Sequence, residues 1–280
     1  MRIKITSDST CDLPQVLVES NEISIFPLVV VKNNESFQDG IDIFPADIFA
    51  HVAAGGSLCS TSAGSVGGYE DFFAPLAKEF DAVIHISLGS GFSSSYQNAC
   101  VAASEFENVY CVDSMNLTTG QGFLVLKAKE MANVGMEPQQ ILEQLNALTP
   151  KVEASFLVDK LDYLAKGGRC SAVAALGANL LNLKPCIEVK DGKMGVVKKY
   201  RGNYAKCLAS YVKDRLADRD DIDHDTLFVT QTVVTDDCYK AVMDTVKSCE
   251  PFAHVYENTA GCTVSCHCGP GTLGVIFLKK

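Results

Sequence analysis

The chain has 280 residues, of which 47% are hydrophobic, and a formal net charge of −10. This length and hydrophobic content suit one large or two modest globular domains, while the scattered basic residues argue against binding to nucleic acid or to an anionic membrane surface. No apolar stretch approaches the ~20 residues of a membrane helix, and no apolar leader is evident, so we expect no integral membrane segment and a cytoplasmic location.

Apolar runs alternate with helical patterns through residues 1–150. This rhythm predicts an α/β fold, with a parallel three-layer α/β/α domain that ends near Thr149-Pro150. The predicted strands are 2–6, 23–31, 82–86 and 109–112. One predicted helix begins at a cap at 8–14, and the others cover 45–54, 93–105, 120–134 and 138–148.

Residues 151–280 are patterned differently and predict an α+β domain with a mixed sheet. Asp191-Gly192 is a hairpin-turn signal between two of its strands. The predicted strands are 154–158, 185–190, 194–200, 226–230, 252–256, 262–268 and 273–278, and the predicted helices are 161–166, 172–181, 204–217 and 236–249.

Segments rich in hydroxyl and glycine residues lie close to predicted strands. They are residues 60–65, 90–96 and 113–120, and His267 lies beside a further segment, Gly-Pro-Gly at 269–271. Hydroxyls and free backbone N–H groups in such places favour an anionic head group. Because the carboxyl ends of parallel strands meet at one edge of a sheet, we expect the hydroxyl segments there.

The segment from Gly89 to Ser94 also resembles a dinucleotide-binding turn that lacks its third glycine. Asp113 ends the next predicted strand, where a ribose-binding acid would be expected. Anion binding through Ser93 is our first interpretation, a simple helix cap at Ser93 the second, and a dinucleotide-dependent enzyme the third. A serine hydrolase or transferase is a further alternative, although the chain lacks the G-x-S-x-G elbow.

Twelve cysteines in a large, core-rich chain are expected to be reduced core residues, without structural disulfides. Cys262, Cys266, His267 and Cys268 suggest a zinc site. On the predicted strand, however, the cysteines face one side and His267 the other, so we expect no metal.

Two arginines are candidate partners for an anion. Arg169 follows two glycines at the end of a predicted helix, and Arg201 ends the basic run that begins at Lys198. A helix C-terminus favours a cation by itself, and a basic run is ordinarily a solvated face, so both roles are hypotheses.

Seven motifs follow one another along the chain: residues 7–13 (SDSTCDL), 39–43 (DGIDI), 61–65 (TSAGS), 92–97 (FSSSYQ), 161–169 (LDYLAKGGR), 182–185 (NLKP) and 267–274 (HCGPGTLG). This ordered set resembles the DegV family, the fatty-acid-binding subunits of bacterial fatty acid kinases. Three residues differ from the family pattern, with Ala63-Gly64 in place of Gln-Pro and Ser94 in place of Gly.

This resemblance implies two domains, here 1–150 and 151–280, with one long-chain fatty acid between them and no other cofactor. It implies that Thr61 and Ser93 hold the carboxylate, with Ser62 and Ser94 beside them. His267 and either Arg169 or Arg201 belong to the same polar end and are the candidate catalytic residues. A separate ATP-dependent kinase subunit would phosphorylate the carboxylate. Tail-lining candidates, which are equally well core residues, are Leu176, Leu180, Leu181, Leu183 and Ile187.

Overall fold

The computed structural model describes residues 1–171 and 183–280. The strands in chain order are β1 (Ile3–Asp8), β2 (Ser24–Phe26), β3 (Val29–Lys32), β4 (Glu35–Gln38), β5 (Ser60–Ser62), β6 (Ala82–Ser87), β7 (Val109–Asp113), β8 (Val152–Leu157), β9 (Leu183–Lys190), β10 (Lys193–Arg201), β11 (Ile222–Gln231), β12 (His254–Thr259) and β13 (Leu273–Lys279). The helices are α1 (Gln15–Ser20), α2 (Pro45–Ala53), α3 (Val66–Glu79), α4 (Ser95–Ala103), α5 (Thr119–Asn133), α6 (Pro138–Leu148), α7 (Asp162–Gly167), α8 (Tyr204–Leu216), α9 (Asp236–Ser248) and α10 (Cys262–Cys268), with 3₁₀ turns at Ser9–Cys11 and Thr149–Lys151.

The first sheet is parallel, with strand order β2-β1-β6-β7. Successive β6 residues point to opposite faces: Ile84 joins the core beneath α5 and α6, and Val83 joins the core beneath α3 and α4. The predicted parallel α/β/α layers are therefore confirmed.

The second sheet has six strands in the order β10-β9-β8-β13-β11-β12. Only the β11–β12 pair is parallel, so the sheet is mixed, as predicted. Helices α8 and α9 cover one face. The other face meets α5, where the Phe123 and Phe228 rings pack edge to face at 4.9 Å. The two sheets thus share a helix, and the division at residue 150 stays a prediction.

The predicted strand at 23–31 is wrong as a single element. Pro27 interrupts it, because proline cannot donate a ladder hydrogen bond. The part before Pro27 is β2 of the parallel sheet, and the part after it is β3 of a small antiparallel sheet, β4-β3-β5, that the sequence did not reveal.

Helix α3 was also missed by the sequence analysis. Its sequence does not predict a helix because it contains Gly67, Gly68 and Pro75, and these residue types ordinarily weaken a helix. Ser65 caps it by accepting a hydrogen bond from the Gly68 N–H at 3.1 Å. Burial of Tyr69 and Phe73 against the sheet stabilises it. The predicted helix at 172–181 lies outside the described residues, and none of the described helices is long and apolar enough to cross a membrane.

Candidate functional site

A cavity of about 360 Å³ lies between the parallel sheet and α10, the helix that carries His267. Its lining residues are both polar and apolar. The polar residues are Thr10, Thr61, Ser62, Ser93, Ser94, Arg169, Thr263 and His267; the apolar residues include Leu28, Leu88, Phe92, Leu117, Met194 and Val264. A concave site with mostly apolar walls and a few convergent polar groups is typical of a small-molecule pocket.

The hydroxyl residues that line the cavity come from a loop and from a strand. Ser93 and Ser94 lie in the loop after β6 of the parallel sheet, as expected. Thr61 and Ser62 lie on β5, where Thr61 pairs with Val30 in the antiparallel sheet. The expectation that both segments are loops at the ends of parallel strands is therefore wrong for residues 60–62.

The start of α4 joins these two segments. The Ser95 hydroxyl lies 2.9 Å from the Ser93 hydroxyl and accepts a hydrogen bond from the Gly64 N–H at 3.3 Å. Asn98 on the next turn donates to the Gly64 carbonyl at 2.7 Å. Gly64 itself packs under aromatic rings, and a Cβ there would lie 2.5 Å from Tyr69. A displacement of α4 would consequently move both hydroxyl segments.

A buried carboxylate, Asp8, supports the loop after β6. It accepts hydrogen bonds from the Ser87 hydroxyl at 2.6 Å, the Leu88 N–H at 2.7 Å and the Tyr69 hydroxyl at 2.6 Å. Burial raises the pKa of Asp8, but the His85 charge and the hydrogen bonds outweigh it and hold that pKa below its ordinary value. Asp8 therefore fixes where the loop leaves the sheet, a role the sequence analysis did not assign.

Residues 262–268 form helix α10, so the predicted strand is wrong. Two distant aspartate side chains cap its first turn. Asp12 accepts from the Gly261 N–H at 2.9 Å, and Asp39 accepts from the N–H groups of Cys262 at 2.8 Å and Thr263 at 3.0 Å. Side chains that satisfy these otherwise unpaired donors stabilise a helix start. The sequence could not reveal partners more than 200 residues away.

The helical geometry changes which residues share a face with His267. Thr263 and Val264, one turn earlier, line the cavity with it, whereas Cys262 and Cys266 pack with Ile43. The strand-based argument against zinc therefore fails. Within residues 1–171 and 183–280, no group of three or more His, Cys, Asp or Glu side chains is placed to hold a metal ion.

His267 is bound to Thr61 through one ring nitrogen. Its Nε2 lies 2.8 Å from the Thr61 hydroxyl, while its buried Nδ1 has no hydrogen-bond partner. A Cβ at Gly167 would lie 2.5 Å from this Nδ1, so glycine allows the close approach. Burial and the positive charge of Arg169 lower the pKa of His267 to about 4. The imidazole is thus neutral at physiological pH.

The two candidate arginines lie in different places. Arg169 lines the cavity, and its guanidinium donates to the Gly167 carbonyl at 2.9 Å and, at a longer 3.5 Å, to the Phe92 carbonyl. Arg201 is exposed at the end of β10 and does not line the cavity. The structure therefore brings together all the predicted site residues except Arg201.

The sequence profile described as "Uncharacterised protein, DegV family" matches residues 2–280. The chain belongs to the DegV family. A DegV domain-containing protein of Clostridium acetobutylicum is 34% identical, with 100% of this chain and 99% of the relative covered.

Solved structures of the family are similar over their whole length. A DegV family protein of Thermus thermophilus, described with fatty acid binding, is 28% identical with a TM-score of 0.90 and 100% of both chains covered. Bacillus subtilis DegV, described as a fatty acid binding protein, is 27% identical with a TM-score of 0.83 and 100% of both chains covered. A stearic acid-binding protein of Eubacterium ventriosum is 26% identical with a TM-score of 0.82, covering 99% of this chain and 98% of its own.

In this DegV chain the loop that resembles a dinucleotide-binding turn makes hydrogen bonds and close contacts with other parts of the protein. Asp113 accepts hydrogen bonds from the N–H groups of Ser90 at 3.0 Å and Met115 at 2.9 Å. A Cβ at Gly89 would lie 2.8 Å from the Asn116 backbone nitrogen, and one at Gly91 would collide with the Gly192 carbonyl. These contacts account for the presence of the two glycines and of Asp113 at their positions, and no bound nucleotide is needed to explain them.

A second, smaller cavity of about 30 Å³ adjoins the first. The two cavities share part of their walls, since both are lined by Leu117, Val264 and Cys268. Of the tail-lining candidates, Ile187 is a fully buried core residue, and Leu183 lines neither cavity. Leu176, Leu180 and Leu181 lie outside the described residues.

Proposed function

We propose that this DegV protein binds one long-chain fatty acid and presents its carboxylate to a separate ATP-dependent kinase subunit, without being an enzyme by itself. The observation that carries the proposal is the difference in exposure between the polar and apolar residues that line the cavity. Ser62, Ser94 and Arg169 are exposed, whereas the apolar lining residues Leu28, Leu88 and Leu117 are buried. An amphiphile with an anionic head and an apolar tail fits this order.

In this proposal the carboxylate is bound by Thr61, Ser93 and Arg169. Arg169 supplies the positive charge, because the neighbouring imidazole is neutral. With the hydrogen on Nε2, His267 donates to the Thr61 oxygen and leaves the Thr61 hydroxyl hydrogen free for the ligand. Hydrogen bonds to a charged group contribute about 1.5–3 kcal/mol each, so the head group is both neutralised and oriented.

The tail supplies most of the affinity. Burying a methylene contributes about 0.8 kcal/mol, so a tail of about 14 methylenes contributes on the order of 11 kcal/mol before the cost of ordering. The first cavity and the smaller cavity that shares Leu117 and Val264 with it offer apolar surface for the tail. We propose that the tail lies along this surface, away from the hydroxyl residues.

Presentation to a kinase is favoured by the exposure of the rim. Ser62, Ser94 and Arg169 are exposed, so a second protein can reach a carboxylate held beside them. The arriving phosphoryl group adds negative charge, and a fixed cation stabilises charge that develops in transfer. Arg169 is placed for that role, with His267 next to it as the second candidate catalytic residue.

The first test is extraction of the purified protein with organic solvent followed by mass spectrometry, which should find a fatty acid. Arg169→Gln should then weaken fatty acid binding by about tenfold, the equivalent of one charge-assisted contact. Arg201→Gln is the matched control and should leave affinity unchanged, since Arg201 is exposed outside the cavity. Equal affinities of the two variants would contradict the proposed carboxylate site.

A further inference from the structure

A buried tyrosine contacts the supports of both hydroxyl segments of the first cavity. Tyr69 lies on α3, and its side chain is fully buried. Its hydroxyl donates a hydrogen bond of 2.6 Å to Asp8, and a Cβ at Gly64 would lie 2.5 Å from its Cε2 atom. One side chain therefore touches the carboxylate that supports the loop after β6 and the backbone that follows β5.

We propose that Tyr69 is a positioning residue for the carboxylate, because it fixes the distance between the Thr61 and Ser93 hydroxyls. Tyr69 is not among the residues that line the cavity, so it acts through its neighbours and does not touch the ligand. The inference rests on the proposed function, in which these two hydroxyls bind the same carboxylate.

The hydroxyl end of Tyr69 is connected to the loop that carries Ser93. Asp8 accepts hydrogen bonds from the Ser87 hydroxyl at 2.6 Å and from the Leu88 N–H at 2.7 Å, where this loop leaves β6. The Tyr69 hydroxyl is a further donor to the same buried carboxylate. Since a buried charge that lacks a hydrogen-bond partner is costly, the tyrosine oxygen is held at a fixed place relative to the loop.

The ring of Tyr69 is connected to the strand that carries Thr61. It stacks on Phe26, with 4.1 Å between the ring centroids and an interplanar angle of 24°, and this contact restricts movement of the ring. Gly64 lies against the same ring, two residues after the end of β5. Because protein interiors are close-packed and transmit strain, a displaced ring should displace Gly64 and the end of β5 with it.

The direct test is Tyr69→Phe, which removes the hydroxyl and keeps the ring. The wild type and the variant are titrated with hexadecanoic acid and with hexadecan-1-ol, which has the same tail but no carboxylate. The variant should bind the acid about threefold or more weakly, which corresponds to part of one hydrogen bond to a charged group, and should bind the alcohol as the wild type does. The ratio of the two affinities measures head-group discrimination, which a loss of stability alone would not change.

Tyr211→Phe is the matched control. Tyr211 is also fully buried, and its hydroxyl donates to the Ser155 carbonyl at 2.7 Å and accepts from the Val275 N–H at 3.0 Å. It belongs to the core beneath α8 and α9, which cover one face of the second sheet. Both variants should lower the thermal stability because each loses buried hydrogen bonds, but Tyr211→Phe should leave the ratio of affinities unchanged.

The outcomes separate this inference from the proposed function. An unchanged ratio in folded Tyr69→Phe, or an equal change in Tyr211→Phe, would overturn the role of Tyr69 alone. If Tyr69→Phe does not fold, Gly64→Ala disturbs the same contact from the other side and should lower the ratio, and an unchanged ratio there would also overturn that role. A wild type that binds the acid no more tightly than the alcohol would overturn the proposed carboxylate site, and the inference with it.

Discussion

Replacing Asp12 by asparagine should stabilise this protein at neutral and alkaline pH, although Asp12 caps a helix. Its Oδ1 accepts from the Gly261 N–H at 2.9 Å, and its Oδ2 lies 2.8 Å from the Thr118 hydroxyl. Burial and the nearby Asp39 raise the pKa of Asp12 to about 8. The carboxyl group is therefore protonated in the folded protein at pH 7. An asparagine of the same shape can accept from Gly261 and donate to Thr118.

The expected gain in stability follows from the difference in the pKa of Asp12 between the folded and unfolded states. The pKa of Asp12 is about 8 when folded, against an ordinary value of 3.8. Between these values the folded chain holds a proton that the unfolded chain has lost. The contribution of Asp12 to stability is complete below pH 4 and is lost as the pH rises toward 8. A difference of one in pKa corresponds to about 1.4 kcal/mol, so the loss is on the order of 5 kcal/mol.

Asp39→Asn is the contrasting variant. The Asp39 carboxylate accepts four hydrogen bonds, from the Cys262 N–H, the Thr263 N–H and hydroxyl, and the Ser9 hydroxyl, at 2.7 to 3.0 Å. In asparagine an NH₂ group would replace one carboxylate oxygen, and it could not accept hydrogen bonds from the N–H and O–H groups that face it. With about two such bonds lost at roughly 1.5–3 kcal/mol each, this variant should lose on the order of 3–6 kcal/mol at acidic pH. The loss should be smaller at neutral pH, because removing the Asp39 charge lowers the pKa of Asp12.

The assay is urea denaturation from pH 5 to pH 9, followed by circular dichroism because the chain has no tryptophan. The free energy of unfolding of the wild type should fall with pH relative to that of Asp12→Asn, and the two curves should converge at acidic pH. Parallel curves across this range would refute the reasoning, since Asp12 would then be ionised in the folded protein at neutral pH. Equal destabilisation by the Asp12 and Asp39 variants would refute it as well.

Three further predictions concern the cavity and the thiols. Ser93→Ala should weaken fatty acid binding by about tenfold in equilibrium titrations, and unchanged affinity in a folded variant would contradict the role of Ser93. His267→Ala should keep most fatty acid binding but lose acyl phosphate formation with a kinase subunit and ATP; a joint decline of both with thermal stability would indicate a structural role instead. Elemental analysis should find no stoichiometric zinc, and thiol titration of freshly prepared protein should find most cysteines reduced, whereas bound zinc or extensive oxidation would overturn those expectations.

The local sequence pattern was sufficient to predict most of the helices and strands. The helix predicted at 138–148 matches α6 residue for residue, and the hairpin around Asp191-Gly192 joins β9 to β10. In these segments hydrophobic period and turn chemistry agree, and both act over a few residues. The errors lie where a distant partner outweighs the local pattern. At 262–268 the alternation of residues predicts a strand, but aspartate side chains from the N-terminal part of the chain cap a helix there.

The sequence by itself determined the family, the α/β class and most residues of the candidate site, because ordered motifs and hydrophobic periodicity are properties of the chain alone. Only the tertiary structure decided how those residues meet. It places Arg169 in the cavity and leaves Arg201 outside, and it binds His267 to Thr61 across 206 positions of sequence. It also makes that imidazole neutral, because desolvation and a neighbouring cation depend on distances in space, which no spacing along the chain specifies.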